Sequence, residues 1–467
     1  MELTYTHIDS RLFSKTPVET VNNPQEIIQN TKLIKQYNLE DTFSRIPKLL
    51  QWEISNDFSV FSQAYAGHQF GGFSILWDWR AHIIKEIEQG WEMFDIQLKW
   101  SGATKYSRWW DGKANLPAML REYIISEAMH SLWIWTNRAL WVFTTGKEVW
   151  RNWNNTWAIL VRLASSHIRV WTFEYVSYLE DKQLLKKFCD YTIERHFPEI
   201  RESKKKYVSF LESVWNAQID LIIHWIRVGF IHWVMNTDNT FISWETLDYG
   251  PCAFINTYNP QKAFSSIDTA GRYSFLNQKH IILWNLSRLI ESLLPLIDSD
   301  INTSIQIWNA LILKFEKEVE EKYTTMLHNK IWLQKSSEAS TALTQNLLSL
   351  LEKHKLDYTN SFVSLEKYLE DSNYSDNTIV ILKDWIVQWE NFIENSSESI
   401  SLMQKTNPKV IPRNHLVEKA LESASNGNMD FSNDFLKVLS TPYRQPSDTM
   451  YLESDPNDVS YETFCGT

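Results

Sequence analysis

Asn236-Thr237-Asp238-Asn239, followed nine positions later by Asp248-Tyr249-Gly250, puts two carboxylates and an amide oxygen into one short stretch of chain. Those residue types at that spacing suit transfer of a phosphorus-centred group. The reaction needs one side chain to position a nucleophile and others to hold divalent cations against a charged nucleotide. In such a site Asp238 takes the proton of the attacking hydroxyl, while Asn239 and Asp248 ligate Mg2+ or Mn2+. The same residues also make an ordinary turn, because Asn and Asp side chains cap nearby backbone. The surrounding elements decide between the two.

Two further residues favour chemistry. Lys99 ends a strand-like run, Asp95-Ile96-Gln97-Leu98-Lys99, and Glu122 lies on a helix expected from about Pro117 to Leu132. Leu120, Ile124, Ile125, Ala128 and Leu132 share one face of that helix at a spacing of three and four, Asn115 is placed to cap it, and Pro117 is tolerated in its first turn. An ion pair between Lys99 and Glu122 would hold nucleotide phosphates. As an isolated surface pair it would contribute little.

Strands are expected at Phe73–Leu76, Arg80–Ile87, Asp95–Lys99, Val142–Thr145 and Trp157–Leu163, with the Pro117–Leu132 helix the one strong helix between Tyr65 and Ser177. Earlier, a helical stretch is expected near Gln25–Tyr37. Helical periodicity then dominates, over Leu184–His196, Tyr207–Val228, Ile281–Leu294, Ile305–His328 and Ser364–Asn395. The acidic motif falls in the loop-rich interruption between Asn236 and Asp268. Strands first and helices afterwards, with an acidic loop among the helices, is the division of labour of a protein kinase.

Composition narrows the class. The 467 residues carry 43% hydrophobic and 22% charged side chains and a net charge of -11, which argues against general nucleic-acid binding. No basic segment followed by an apolar run opens the chain, and no uninterrupted apolar run of about 18 residues suggests a membrane span. Cys189, Cys252 and Cys465 are too few and scattered for a disulfide framework or zinc site. A cytoplasmic protein is expected.

Glycine and tryptophan are out of balance. There are 12 Gly and 23 Trp, whereas ordinary usage predicts about 33 Gly in this length. Several tryptophans stand in short polar turns that suit glycine, as in Leu76-Trp77-Asp78-Trp79-Arg80 and Lys99-Trp100-Ser101-Gly102.

Many motifs in order resemble the selenoprotein O family: Tyr65-Ala66-Gly67-His68-Gln69-Phe70-Gly71-Gly72, Asp95–Lys99, Tyr106-Ser107-Arg108, Asp111-Gly112, Leu120-Arg121-Glu122, Ser166-His167-Ile168-Arg169, Glu194-Arg195-His196-Phe197-Pro198-Glu199, Val234–Asn239, Asp248-Tyr249-Gly250-Pro251, Gly271-Arg272-Tyr273 and Trp284-Asn285-Leu286. The resemblance implies an α+β, bilobal protein-kinase-like fold, with a strand-rich N-terminal lobe, a helical C-terminal lobe and a helical C-terminal extension. Its expected parts are residues 1–64, an N-terminal extension; 65–180, the nucleotide-binding lobe; 181–330, the catalytic helical lobe; and 331–467, the extension and tail.

It also implies a protein adenylyltransferase. Such an enzyme moves AMP from ATP, with UTP a second nucleotide, to Ser, Thr or Tyr hydroxyls of target proteins, using Mg2+ or Mn2+. No nucleic-acid or membrane partner is implied. Carried over by motif, Trp77, Trp79, Arg80, Lys99, Asp111, Gly112, Glu122, Arg162 and Arg169 surround the nucleotide. Asp238 is then the proton acceptor, Asn239 and Asp248 are the metal ligands, and Cys465 is a redox thiol. Beside a bound cation, Asp238 is expected to have a low pKa and to orient the hydroxyl more than deprotonate it. The alternatives are transfer of the γ-phosphate, as in a protein kinase, and a non-catalytic scaffold.

The chain departs from the family at Trp77, Trp79, Trp100, Trp110, Trp133, Trp157, Trp171 and Trp233, where glycine is the family residue. Two readings follow. Either the nucleotide loop is blocked by indoles, or these positions are UGA codons, read as glycine in one genetic code and as tryptophan in another.

Overall fold

A computed structural model of the chain describes all residues except 1–2, 52–57, 70–71, 75–77, 79, 108, 152, 265–267, 269, 334–335, 394–395, 456–460 and 462–467. It is mixed α+β, with a sheet-rich N-terminal region and a helical C-terminal part. The main sheet is antiparallel. Its strands run in the order Gln25–Gln29, Arg138–Arg151, Trp153–Ala164, Glu92–Lys99 and Ala81–Gln89, and the short strand Ala114–Asn115 also pairs with Trp153–Ala164.

Alternation along these strands separates the two faces. Ile84, Ile96, Leu98, Phe143, Ile159, Val161 and Leu163 pack against Phe43, Ile46 and Leu50 of the helix Glu40–Leu50. On the opposite face Val142, Ala158 and Leu160 pack against Met119 and Tyr123 of the helix Leu116–Ser131. Lys99 pairs with Leu160, and Gln97 with Arg162, so these polar side chains share the face that carries the second helix. That helix begins as its sequence predicts: the Asn115 side chain accepts the Ala118 N–H at 3.0 Å.

The helical part is built around Lys182–His196, Lys206–Arg227, Gln278–Ile297 and Ile301–Lys330, whose apolar faces join the largest core cluster. Among the described residues, Gln278–Ile297 is long and apolar enough to cross a membrane. Its Ile281, Leu286, Leu289, Ile290 and Leu293 are instead buried in this core.

Three sequence expectations need correction. Gln25–Tyr37 is not one helix but a strand, Gln25–Gln29, then a helix, Thr31–Gln36, because the Asn30 side chain caps the Leu33 N–H at 3.2 Å and starts the helix late. Between Tyr65 and Ser177 there is a second helix, Val170–Tyr178, opened by the Thr172 hydroxyl accepting the Arg169 N–H at 3.1 Å. The expected helix Ser364–Asn395 is three pieces, Tyr358–Glu370, Asn377–Ile381 and Lys383–Glu390. Side chains compete with the helix for backbone there: Asp371 takes the Asn373 N–H at 2.9 Å and Asp376 the Ile379 N–H at 2.9 Å. Of the predicted strand Phe73–Leu76, residues 72–74 form a short strand and 75–76 lie outside the described residues.

One buried knot joins the sheet to the helices. Glu86 and Asp95 sit opposite each other on neighbouring strands, and Arg195 of the Lys182–His196 helix bonds both, at 2.5 and 2.8 Å, as well as the Ser165 carbonyl. All three charged side chains are nearly inaccessible. Removing the cation leaves two buried carboxylates with only Thr4 and His167 as partners and no cation, so Arg195→Ala is expected to destabilise the fold by about 3–5 kcal/mol in urea denaturation.

Burial also lowers the pKa of His82, His167 and His232 to about 4 and of His196 to about 3. These imidazoles stay neutral in the fold but protonate once unfolded, where the ordinary pKa is about 6.5. The unfolded state therefore binds more protons, and stability falls as pH drops from about 6.5 toward 4, by up to about 1.4 kcal/mol per pH unit for each histidine. Thermal melts across this range should show the midpoint falling steadily. The raised carboxyls of Asp238 and Glu122 act in the opposite sense and shallow the slope, and a midpoint that rises as pH falls would contradict the neutral assignment.

Candidate active site

The strand Glu92–Lys99 delivers Lys99 to the centre of a charged cluster. Its ammonium donates to both Glu122 oxygens at 2.6 and 2.7 Å and to Asp248 Oδ1 at 2.6 Å. Arg80 reaches the other Asp248 oxygen at 3.2 Å, and the Gly250 N–H adds a bond to Oδ1 at 3.1 Å. Lys99, Glu122 and Asp248 are 2%, 3% and 5% exposed, which makes their pairing obligatory rather than decorative. The sheet, the first-half helix and the acidic loop thus meet at one ammonium.

Electrostatics follow from burial. Desolvation pushes Lys99 down, only partly opposed by Asp248 and Glu122, and pushes Glu122 up with help from Asp248. Burial acts upward on Asp248 too, but Lys99, Arg80 and Arg162 outweigh it and hold that carboxyl well below its ordinary range.

Asp238 sits in a 3₁₀ turn, Thr237–Asn239, next to this cluster. The turn is braced from below: Asn285 donates to the Met235 carbonyl at 3.0 Å and to the Thr240 hydroxyl at 2.9 Å, and Tyr273 donates to Asn236 at 2.6 Å. Asp238 Oδ1 is sealed from solvent and has no hydrogen-bond partner among the described residues. Burial raises its pKa to about 6, against the pull of Arg169 and Arg80. The low value expected from the sequence presupposes a neighbouring cation; in the metal-free chain desolvation dominates instead.

The other predicted residues are placed as follows. Arg162 lies on the Lys99 face, but its guanidinium bonds Gln97 at 2.6 and 2.8 Å and the Leu247 carbonyl at 3.0 Å. Arg169 lies over the Tyr65 ring, 4.3 Å from its centroid, and bonds Asp78 at 3.2 and 3.3 Å. Asn239 donates its amide to the Val234 carbonyl at 2.8 Å. Asp111 pairs with Arg151 at 2.7 and 3.1 Å. The Gly112 carbonyl, at a residue with φ +64°, accepts the Gly102 N–H at 3.1 Å, and a Cβ there would come within 2.3 Å of Gly102. Trp77, Trp79 and Cys465 lie outside the described residues.

Sequence reasoning gave no role to Gln97, Asp78, Asn285 or Tyr273. Gln97 was legible by alternation, two residues before Lys99 on the same face; the others act through long-range contacts that local pattern does not reveal.

A cavity of about 150 Å³ opens beside the cluster, lined by Arg80, Lys99, Trp100, Glu122, Asp248 and Gly250 among others. The Trp100 indole stands under the Arg80 guanidinium, 4.4 Å away. Among the described residues no three His, Cys, Asp or Glu side chains form a metal cage. One ionised carboxylate and an adjacent amide turn nevertheless fit a hard cation of the magnesium type, which takes few protein ligands and completes its shell with phosphate and water.

Similarity to known proteins fixes the class. The family model described as "Protein adenylyltransferase SelO" matches residues 2–440. The chain is 43% identical over 480 residues to a protein nucleotidyltransferase YdiU of Clostridium perfringens (strain SM101 / Type A), covering 100% of this chain and 97% of the relative. Against the YdiU of Nitrosococcus oceani it is 41% identical over 479 residues, covering 99% and 96%. Against that of Teredinibacter turnerae it is 45% identical over 415 residues, covering 86% of each. By class the chain is a nucleotidyltransferase enzyme. It belongs to the SelO family.

If Lys99 is the cation that permits both carboxylates to be buried, Lys99→Met should cost about 3–5 kcal/mol of stability, and adding Glu122→Gln should recover part of it. Denaturation of the two single variants and the double variant measures this; strictly additive losses would show that the two residues do not act as a pair.

Proposed function

We propose that this chain is a metal-dependent protein adenylyltransferase, transferring AMP from ATP to Ser, Thr or Tyr hydroxyls of other proteins and releasing pyrophosphate, with UTP as a second donor. The observation that carries the reading is the Lys99 ammonium, held between Glu122 and Asp248 beside the Asp238 turn. The architecture that fits it is bilobal and protein-kinase-like. Residues 65–180 cover the nucleotide, 181–330 hold the catalytic turn, and 1–64 and 331–467 extend the two lobes.

The residues divide the work. Lys99, oriented by Glu122, offers its ammonium to nucleotide phosphate oxygens. Arg80, Arg162 and Arg169 supply guanidinium forks, which suit phosphate because two parallel hydrogen bonds fit its oxygens. Asp238 accepts the proton of the attacking hydroxyl and, with its pKa lowered beside a bound cation, acts more by orienting that hydroxyl than by deprotonating it. Asn239 and Asp248 would hold Mg2+ or Mn2+, which when bound supplies neutralisation of charge on the phosphates and leaving pyrophosphate. The rest of the rate enhancement is positioning, since the α-phosphorus must lie in line with the hydroxyl.

ATP labelled at the α- or the γ-phosphorus tests the assignment. Incubation with a cell extract and Mg2+ or Mn2+ should mark proteins only from the α-label, and Asp238→Asn should lower that marking about 10²-fold or more while retaining an ATP-dependent thermal shift. Marking from the γ-label would instead mean a protein kinase. No marking and no thermal shift would mean a non-catalytic binding protein.

A further inference from the structure

The buried tryptophans differ in whether their indole N–H groups are satisfied, and Trp157 donates its own to the Trp100 carbonyl at 2.8 Å. Trp225, Trp385 and Trp389 are buried and donate their indole N–H groups, to the Thr246 hydroxyl at 3.0 Å, the Leu343 carbonyl at 2.9 Å and the Ile331 carbonyl at 2.8 Å. These are ordinary core tryptophans. By contrast, the indole nitrogens of Trp141, Trp171, Trp215, Trp233, Trp308 and Trp332 are sealed from solvent with no partner among the described residues. Orphaned buried donors are rare in proteins, and six of one residue type call for a common cause.

Backbone conformation singles out three tryptophans, of which Trp332 alone is also among these six. Among the described residues, the non-glycine positions with positive φ are Asn38, Trp100, Trp133, Glu180, Trp332 and Lys355. Half are tryptophan, whose bulk makes it a steric outlier in the left-handed region. Trp133 follows the helix Leu116–Ser131 and its cap Leu132; its N–H bonds the His130 carbonyl at 3.0 Å, while the Ile134 N–H bonds Met129 at 3.0 Å. Trp332 repeats this after Ile301–Lys330, with Trp332 to Asn329 at 3.4 Å and Leu333 to His328 at 2.9 Å. These are the two bonds of a Schellman helix stop, in which the left-handed residue is usually glycine. The chain uses Gly427, at φ +81°, in the same place after Asn414–Ser425.

Trp100, at φ +61°, is the functional case. It follows Lys99 directly and fills one wall of the cavity of about 150 Å³ beside Lys99, Glu122 and Asp248. Small-molecule sites usually measure about 300–1,000 Å³. The indole forms part of this small cavity's wall and holds Arg80 on its face.

We infer that positions 100, 133 and 332 are glycine in the protein as its own cell makes it, encoded by UGA read there as glycine, and that glycine at 100 opens the Lys99 cavity to a nucleotide. The first half stands on backbone geometry and the glycine deficit, 12 residues where about 33 are expected. The second half rests on the nucleotide-transfer reading of the site.

Peptide mass spectrometry on the protein isolated from its source organism tests the first half. Glycine is expected at 100, 133 and 332, and tryptophan at 385 and 389. Tryptophan at all five, or UGG codons at the first three, overturns it. The recombinant full chain tests the second half by ATP titration with Mg2+ in a thermal-shift assay: Trp100→Gly should bind ATP at least 10-fold more tightly than the unsubstituted chain, and equal affinity overturns the pocket claim. Trp133→Gly and Trp332→Gly should each raise Tm by about 1–3 °C without changing ATP affinity, and a fall in Tm would contradict the helix-stop argument. Should glycine be found in the native protein while Trp100→Gly binds no ATP, the nucleotide reading fails and the residue assignment stands.

Discussion

An ammonium taken out of water must find anions, and two buried carboxylates must find a cation. Lys99 satisfies both demands at once, and the architecture is arranged around that exchange. Lys99 arrives on a central strand, Glu122 on a helix lying across the sheet, and Asp248 on the loop that follows the Asp238 turn. None of the three is tolerable in its place without the others. The pairing therefore fixes how the sheet, the helix and the acidic loop sit relative to one another before any ligand arrives.

The same economy governs the remaining cations. Arg162 is committed to Gln97 and Leu247, Arg169 to Asp78, and Arg80 to Asp248. Each bond is to a side chain or carbonyl oxygen that phosphate oxygens can replace at similar geometry. On the proposed reading, a nucleotide entering here would exchange partners instead of creating charge pairs from solvated groups. Binding energy is thus reduced by what the resident partners give up, while orientation is gained because the forks are already aimed. Asp238 stands apart from this trade, since its sealed Oδ1 has no partner to surrender.

Much of this arrangement was legible in the chain itself, for identifiable reasons. Lys99 and Glu122 could be paired because alternation and helical spacing are local signals, and Asn115 announced the helix start by a capping preference that acts over three residues. The Asp238 turn and Asp248 were visible because their residue types are costly to cluster without a use. What escaped was set by distant contacts or by side chains overriding periodicity. Asn285 braces the Asp238 turn from 45 residues away at Thr240. Asp371 and Asp376 break a run of apolar spacing that otherwise reads as one helix, and Thr172 opens a helix within a region of strand-like residues.

The tryptophans connect these points, because they show which features of the fold depend on residue identity and which do not. Two helix stops keep their full hydrogen-bond pattern around an indole, at Trp133 and Trp332, so the backbone course is dictated by neighbours and not by the residue in the turn. Burial of Leu98, Leu160 and Ile96 likewise carries the lysine strand into place whatever follows Lys99. A fold specified by hydrophobic patterning survives such substitutions at a local cost, whereas a site specified by empty volume does not. Space is the one component of the Lys99 cluster that no hydrogen bond enforces, and it is the component most sensitive to the residue at position 100.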